Sequence, residues 1–243
     1  MVGDEDDVDG GVALRRERAA QVEALNGVYA GMRPYDIIEH ALREPLFSNP
    51  TVVSSFGAES AVLLHMIARI RPSMPVHFID TGKLFDETLR FRDRLQHALG
   101  LENVRCLAPS LSDLRAHDPD GTLHRRDPDQ CCRIRKTLVL ERALGPFDSW
   151  INGRKRFQSE LRALMPIVEF ANGRAKLNPL ANWRTEDIKR YSSENNLPIH
   201  PLVAQGYYSI GCFPCTSKVA PDVNPRAGRW TGLDKSECGI HTE

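Results

Sequence analysis

Six cysteines mark the places where this chain could do chemistry. Cys212-Phe-Pro-Cys215 has the spacing that lets two thiolates reach one metal centre, and by itself it suits a zinc half-site or a redox dithiol equally well. Cys131-Cys132 is a tandem pair. Adjacent cysteines make strained disulfides and poor zinc ligands, but on a helical turn they diverge by only about 100°. A tandem pair plus C-x-x-C supplies four thiolates, which suits a cluster whose irons are spread over several ångströms. Structural zinc stays open, because softness and geometry do not exclude it. Cys238 stands apart in Glu237-Cys-Gly-Ile-His241 near the end of the chain. Nothing in its own spacing distinguishes it from a spare thiol. Cys106 falls in an expected strand and is read as a buried small hydrophobe.

The second set of chemical residues suits an anion. In Ser54-Ser-Phe-Gly-Ala-Glu-Ser60, small residues and hydroxyls at Ser54, Ser55, Gly57 and Ser60 let backbone N–H groups and a helix N-terminus approach negative charge. No G-x-x-x-x-G-K-[ST] occurs in the chain, so this is not a Walker A loop, and a tight turn with a serine cap is the plain alternative. Lys136 lies four residues after Cys132 and would share its helix face. Arg226 and Arg229, three apart, and Arg154 after Gly153 could offer paired guanidinium contacts. The ordinary fate of such charges is a solvated surface.

These groups need elements to carry them. The β-branched run that opens at Thr51 predicts a strand ending in the serine-rich loop, followed by a helix over 61–70. A second strand over 75–80 ends at Asp80-Thr81-Gly82 and feeds an amphipathic helix over 85–99. Strands over 104–107 and 149–152, a leading helical stretch over 15–29 and a short helix over 185–195 complete the rhythm. The expected fold class is α/β, a doubly wound, mostly parallel sheet with ligands at the carboxyl ends of its strands. Residues 1–15 are expected to be a disordered lead-in, 16–217 a nucleotide- and cluster-binding domain, and 218–243, rich in proline and glycine, a mobile tail.

Composition narrows the function classes. Lysine plus arginine (32) equals aspartate plus glutamate (32), so no global basic field points to nucleic acid. No apolar run approaches the roughly 20 residues of a membrane span, and the start of the chain lacks an export pattern. The expectation is a cytoplasmic protein with no membrane partner, where clustered thiols mean metal or catalysis more often than disulfides.

Taken in order, the motifs resemble one family. The Ser54–Ser60 loop resembles the PP-loop of the adenine nucleotide α-hydrolases, with Phe56 and Ala58 at small or glycine positions and Glu59 at an aspartate position. That departure argues against ATP cleavage. Cys131-Cys-x-x-Arg-Lys136 and Tyr208-Ser-Ile-Gly-Cys-x-Pro-Cys-Thr216 look like the cluster-bearing adenylyl-sulfate reductases. Ile79-Asp-Thr-Gly82, Gly153-Arg-Lys-Arg-Phe-Gln-Ser159, Pro179-Leu-x-x-Trp183 and the terminal Glu-Cys-Gly-Ile-His extend the match over nearly everything after the first ~40 residues. The resemblance implies a [4Fe–4S] cluster on Cys131, Cys132, Cys212 and Cys215, and Cys238 as a nucleophile that takes sulfite from adenylyl sulfate. It implies thioredoxin or a glutaredoxin-like dithiol as reductant, and it leaves a homo-oligomer possible. Substrate contacts are expected from Ser54, Ser55, Phe56, Gly57, Ser60, Asp80, Thr81, Gly82, Lys136, Gly153, Arg154, Arg226, Arg229 and His241. Competing expectations are a phosphoadenylyl-sulfate reductase, a PP-loop enzyme that thiolates tRNA, and a non-catalytic zinc-stabilised regulator.

Overall fold

The structure, a computed structural model, describes residues 5–221, 223–233, 235 and 237–240, with side chains from residue 16 onward. Among the described residues six strands form one sheet: β1 Pro50–Val53, β2 Val76–Ile79, β3 Val104–Leu107, β4 Ser149–Ile151, β5 Val168–Ala171 and β6 Arg174–Leu177. Their order is β3-β2-β1-β4-β6-β5. All neighbours are parallel except the β5–β6 hairpin. Strand order reverses between β1 and β4, whose register pairs Val52 with Ile151.

Helices cover both faces. In chain order they are α1 Glu5–Tyr29, α2 Pro34–Ala41, α3 Ser60–Ile70, α4 Asp86–Leu99, α5 Leu111–His117, α6 Leu123–Arg126, α7 Pro128–Cys132, α8 Leu138–Leu144 and α9 Thr185–Glu194. Side chains alternate along each strand. Val52, Phe78 and Ile151 therefore join the core beneath α2, α3 and α4, while Val53, Ile79 and Trp150 pack with Leu140 and Leu144 of α8. α3 is apolar almost all round, with Ala61, Val62, Leu63, Leu64, Met66 and Ile67 buried, as a helix sandwiched between a sheet and further helices must be. α4 starts with Asp86 and Glu87 in its first turn and stops at Gly100, whose φ of 69° supplies the left-handed cap.

Three features differ from the sequence reading. The lead-in expected to be disordered is helical from Glu5, because a helix nucleated on the sheet by Leu25 and Tyr29 elongates at little cost per residue. Cys106 is exposed rather than buried, since β3 is an edge strand with β2 as its sheet neighbour. The described part of the expected mobile tail is folded onto the domain, with Trp230 buried and Ser217 N donating to Gly228 O at 2.7 Å. Among the described residues, no helix is long and apolar enough to cross a membrane.

Candidate active site

A cavity of about 260 Å³ opens at the carboxyl ends of β1 and β4, where the strand order reverses. The loop after β1 brings Ser54, Ser55, Gly57 and Ser60 to its wall, and the loop after β4 brings Gly153 and Arg154. Thr81, Lys136, Arg226, Arg229 and Cys238 also line it. Residues spread over most of the chain are thus gathered at one site.

Each loop is shaped by local bonding. Phe56 holds φ at 49°, the left-handed geometry natural to the glycine of a true PP-loop, and its N–H donates to Ser54 Oγ at 3.2 Å. Its ring is fully buried edge-on to Phe78 at 5.4 Å. Phe56 therefore shapes the loop from the core, and it is not among the residues that line the cavity. Asp80 and Gly82 are likewise absent from the cavity wall: Asp80 Oδ1 accepts from Gly82 N at 2.9 Å and closes the turn that presents Thr81. Arg135 locks that turn from behind, donating to Thr81 O at 2.7 Å and pairing with buried Asp118 at 2.5 Å.

The cations divide into committed and available groups. Arg154 reaches the wall, but its guanidinium pairs with Glu169 and donates to Asn152 at 3.2 Å and Asn178 at 3.1 Å. Those bonds hold the β4 loop rather than leaving a fork for substrate. Arg229 lies over the Trp230 ring at 4.4 Å and against the backbone of Gly211, and its Nε has no hydrogen-bond partner among the described residues. Its fork borders the cavity. His241 lies outside the described residues.

The four cysteines expected as ligands line a second, small cavity together with Lys83, Arg135 and Lys136. Asp127 caps α7 by accepting from Gln130 N at 2.9 Å, Pro128 opens the helix, and the pair Cys131-Cys132 ends it. A π-helical turn, Arg133–Thr137, follows directly. Such widened turns recur where a helix must re-aim side chains for function. On the other side, Phe213 N donates to Lys83 O at 2.7 Å and Leu84 bridges Cys212, which fixes the C-x-x-C loop. Burial pushes the Cys131 thiol up to about 11, with the Cys132 charge adding to it. Cys212 goes the other way: burial opposes its ionisation, but the Lys136 ammonium and a hydrogen bond to Thr81 at 3.2 Å prevail. For Lys136, burial favours the neutral amine, and the charges of Cys212, Cys238 and Cys132 overcome it and keep the lysine protonated. Lys136 and Cys212 line both cavities and so form the wall between them. Among the described residues, no group of three or more His, Cys, Asp and Glu side chains is arranged for a single metal ion.

Residues 49–218 match the phosphoadenosine phosphosulfate reductase domain. The chain belongs to that family. It is 47% identical over 97% of its length to the adenosine 5′-phosphosulfate reductase of Mesorhizobium japonicum, covering 90% of that protein. It is 52% identical over 91% of its length to the protein of the same name from a Chelativorans species, covering 92% of it. A Gloeobacter violaceus protein called phosphoadenosine 5′-phosphosulfate reductase is 38% identical over 90% of this chain and 93% of its own. Among solved structures, the phosphate complex of phosphoadenylyl-sulfate reductase from Candida auris superposes with a TM-score of 0.69 at 25% identity, over 82% of this chain and 96% of that one. Candida glabrata FMN adenylyltransferase, at 15% identity and a TM-score of 0.55 over 86% of this chain and 79% of that one, shares the fold. The sheet is thus the PP-loop type the sequence suggested.

Several residues of the site escaped the sequence reading. Arg162 and Glu237 form a buried ion pair at 2.7 Å across 75 positions, a pairing no local pattern announces. Lys155 pairs with Glu59 at 2.6 Å, so the glutamate in the aspartate place of the loop anchors the β4 loop. Gly211 had a signal, as a glycine inside the Cys212 motif, but its use as the floor under Arg229 needed coordinates.

Proposed function

We propose that this chain reduces adenosine 5′-phosphosulfate to sulfite and AMP in cytoplasmic sulfate assimilation, with Cys238 as nucleophile and a thioredoxin-type dithiol as reductant. The observation that carries the reading is the meeting of Cys238 with Lys136, Arg226 and Arg229 in the cavity at the end of β1. The N-terminus of α3 and the Ser54–Ser60 loop suit the nucleotide phosphate. Lys136 and the Arg226–Arg229 fork suit the sulfate, with His241 as a further donor.

In the first half-reaction the Cys238 thiolate attacks the sulfate sulfur. A sulfur–sulfur bond forms as the sulfur–oxygen bond to AMP breaks, and the bonding pair leaves with the AMP phosphate. The cations stabilise charge gathering on the bridging oxygen and the three sulfate oxygens. In the second half-reaction a dithiol thiolate attacks Cys238 Sγ, and sulfite departs with the pair of the sulfur–sulfur bond. The second thiol then frees Cys238 and leaves a disulfide on the partner. Both electrons come from the dithiol, so the balance closes on thiol chemistry.

Cys131, Cys132, Cys212 and Cys215 would hold a [4Fe–4S] cluster, and their placement around one cavity beside Lys83, Arg135 and Lys136 suits four thiolates. When bound, the cluster would tie the end of α7 to the C-x-x-C loop and set the electrostatic field felt by Lys136. That two relatives of 47% and 52% identity are named for adenosine 5′-phosphosulfate favours the substrate without a 3′-phosphate. The test is sulfite and AMP release from each sulfonucleotide with thioredoxin and its reductase. The reading expects turnover of adenosine 5′-phosphosulfate above that of the 3′-phosphorylated compound; turnover of neither overturns it.

A further inference from the structure

Cys238 sits in a stretch without helix or strand, so no ladder of backbone bonds fixes where its sulfur goes. Two side chains just before it form ion pairs with the rest of the protein, and they are of opposite charge. Lys235 pairs with Asp129 of α7, two residues before Cys131. The Lys235 side chain is only 6% exposed, although Asp129 is 79% exposed, so the lysine stem is laid into the protein rather than waving at its surface. Its ammonium also stands 5.7 Å from the centre of the Trp230 ring.

Glu237 goes to the wall of the larger cavity, beside Arg162. Arg162 Nε and Nη2 donate to its two oxygens at 2.7 Å each, Ser159 Oγ donates at 3.2 Å, and Arg226 approaches at 3.3 Å. Its side chain is 8% exposed. Burial opposes ionisation of Glu237, but the bonds and charge of Arg162, with Arg226, keep its carboxyl below the usual range. A slip of two residues one way would bring Glu237 against Asp129, and a slip of two the other way would bring Lys235 against Arg162; like charges reject either placement. Polarity thus selects one seating.

We infer that Lys235 and Glu237 are positioning residues, an ionic clasp of two opposite-sign anchors that seats Cys238 in the cavity and, through Glu237, holds Arg226 at its wall. This rests on Cys238 being the nucleophile. The clasp is reversible by construction: both anchors are ion pairs, free to release when the adducted thiol must meet a dithiol partner.

The experiment uses the full-length holoenzyme and two readouts, each resolved at the Cys238 peptide by mass. One is single-turnover transfer of an SO₃ unit from adenosine 5′-phosphosulfate without reductant. The other is alkylation by iodoacetamide without nucleotide. Glu237→Gln is expected to slow transfer at saturating substrate by about tenfold or more while half-saturation moves less than about threefold. Its alkylation is expected to speed up by about threefold, as a released thiol should. Lys235→Asp and Asp129→Lys are each expected to behave like Glu237→Gln, and the double swap to return both readouts to within about threefold of the wild type. Wild-type transfer and alkylation in Glu237→Gln would overturn the clasp, and so would a double swap as impaired as its singles. No transfer in the wild type would overturn the nucleophile reading instead, and alkylation would still decide whether the clasp exists.

Discussion

Gly211→Ala separates the fold from the site more sharply than any truncation would. A β-carbon built at Gly211 would lie 2.5 Å from Arg229 Cζ and 2.8 Å from Nη1, with Nη2 closer still. The backbone there has little room to give, because Gly211 N donates to Thr216 Oγ1 at 3.2 Å and the next residue bridges Leu84. Arg229 therefore retreats. Reaching ordinary contact at 3.4 Å displaces its Cζ by about 1 Å and lifts it from the Trp230 ring. A displacement of about 1 Å in a group that must meet a transition state costs about 10²-fold in rate, or about 2.7 kcal/mol. Moving the end of a long side chain costs the fold little, below about 1 kcal/mol. Expected, then, is a kcat/KM for sulfite release near one hundredth of the wild type with a urea midpoint almost unchanged. Activity within about threefold of the wild type would refute the placement of Arg229 at the sulfate.

Other consequences follow from the same contacts. Asp118→Ala should destabilise the protein by about 3–5 kcal/mol in urea unfolding, because it leaves the Arg135 guanidinium buried beside Thr81 without its partner; a loss under about 1 kcal/mol would show the pair to be incidental. His200 is buried, accepts from Leu202 N at 3.2 Å through Nδ1, and is pushed down to about 4 by burial and then by the charge of Arg94. Its folded value lies below its unfolded value of about 6.5, so its contribution is complete above that pH and declines as pH falls towards 4, by up to about 3 kcal/mol. Urea midpoints that stay level from pH 7 to 4.5 would contradict this. Serine at Cys131, Cys132, Cys212 or Cys215 should abolish bound iron and visible absorbance, whereas Cys106→Ser and Cys238→Ser should keep both; iron retained in any of the first four would remove that residue from the ligand set.

Periodicity made β1 to β4 and α3, α4 and α9 legible, because strands of a parallel sheet read as short apolar runs and their helices repeat at 3.6 residues. The β5–β6 hairpin was not seen. Glu169 and Lys176 stand where a strand is expected to be apolar, and only the buried cluster with Arg154 makes them acceptable there. Asn172-Gly173, with φ of 52° and 74°, was the readable sign of its turn. The error at Cys106 has a simple source, since strand order decides which strand is an edge and composition does not encode order. Of the residues that line the two cavities, Cys131, Cys132, Cys212, Cys215, Cys238, Lys136, Arg226 and Arg229 were singled out from motif loops in advance. What each cation is paired with was not, because Arg154–Glu169 and Arg162–Glu237 depend on which loops the sheet brings together.

The central claim is a covalent one, and intact mass tests it most directly. Purified protein is incubated anaerobically with adenosine 5′-phosphosulfate and no thiol reductant, then weighed and digested. The account predicts one added SO₃ unit per chain, mapped to Cys238, released as sulfite by thioredoxin and absent from Cys238→Ser. A chain that stays unmodified while AMP and sulfite still appear once reductant is added, or an adduct on any other cysteine, would contradict it.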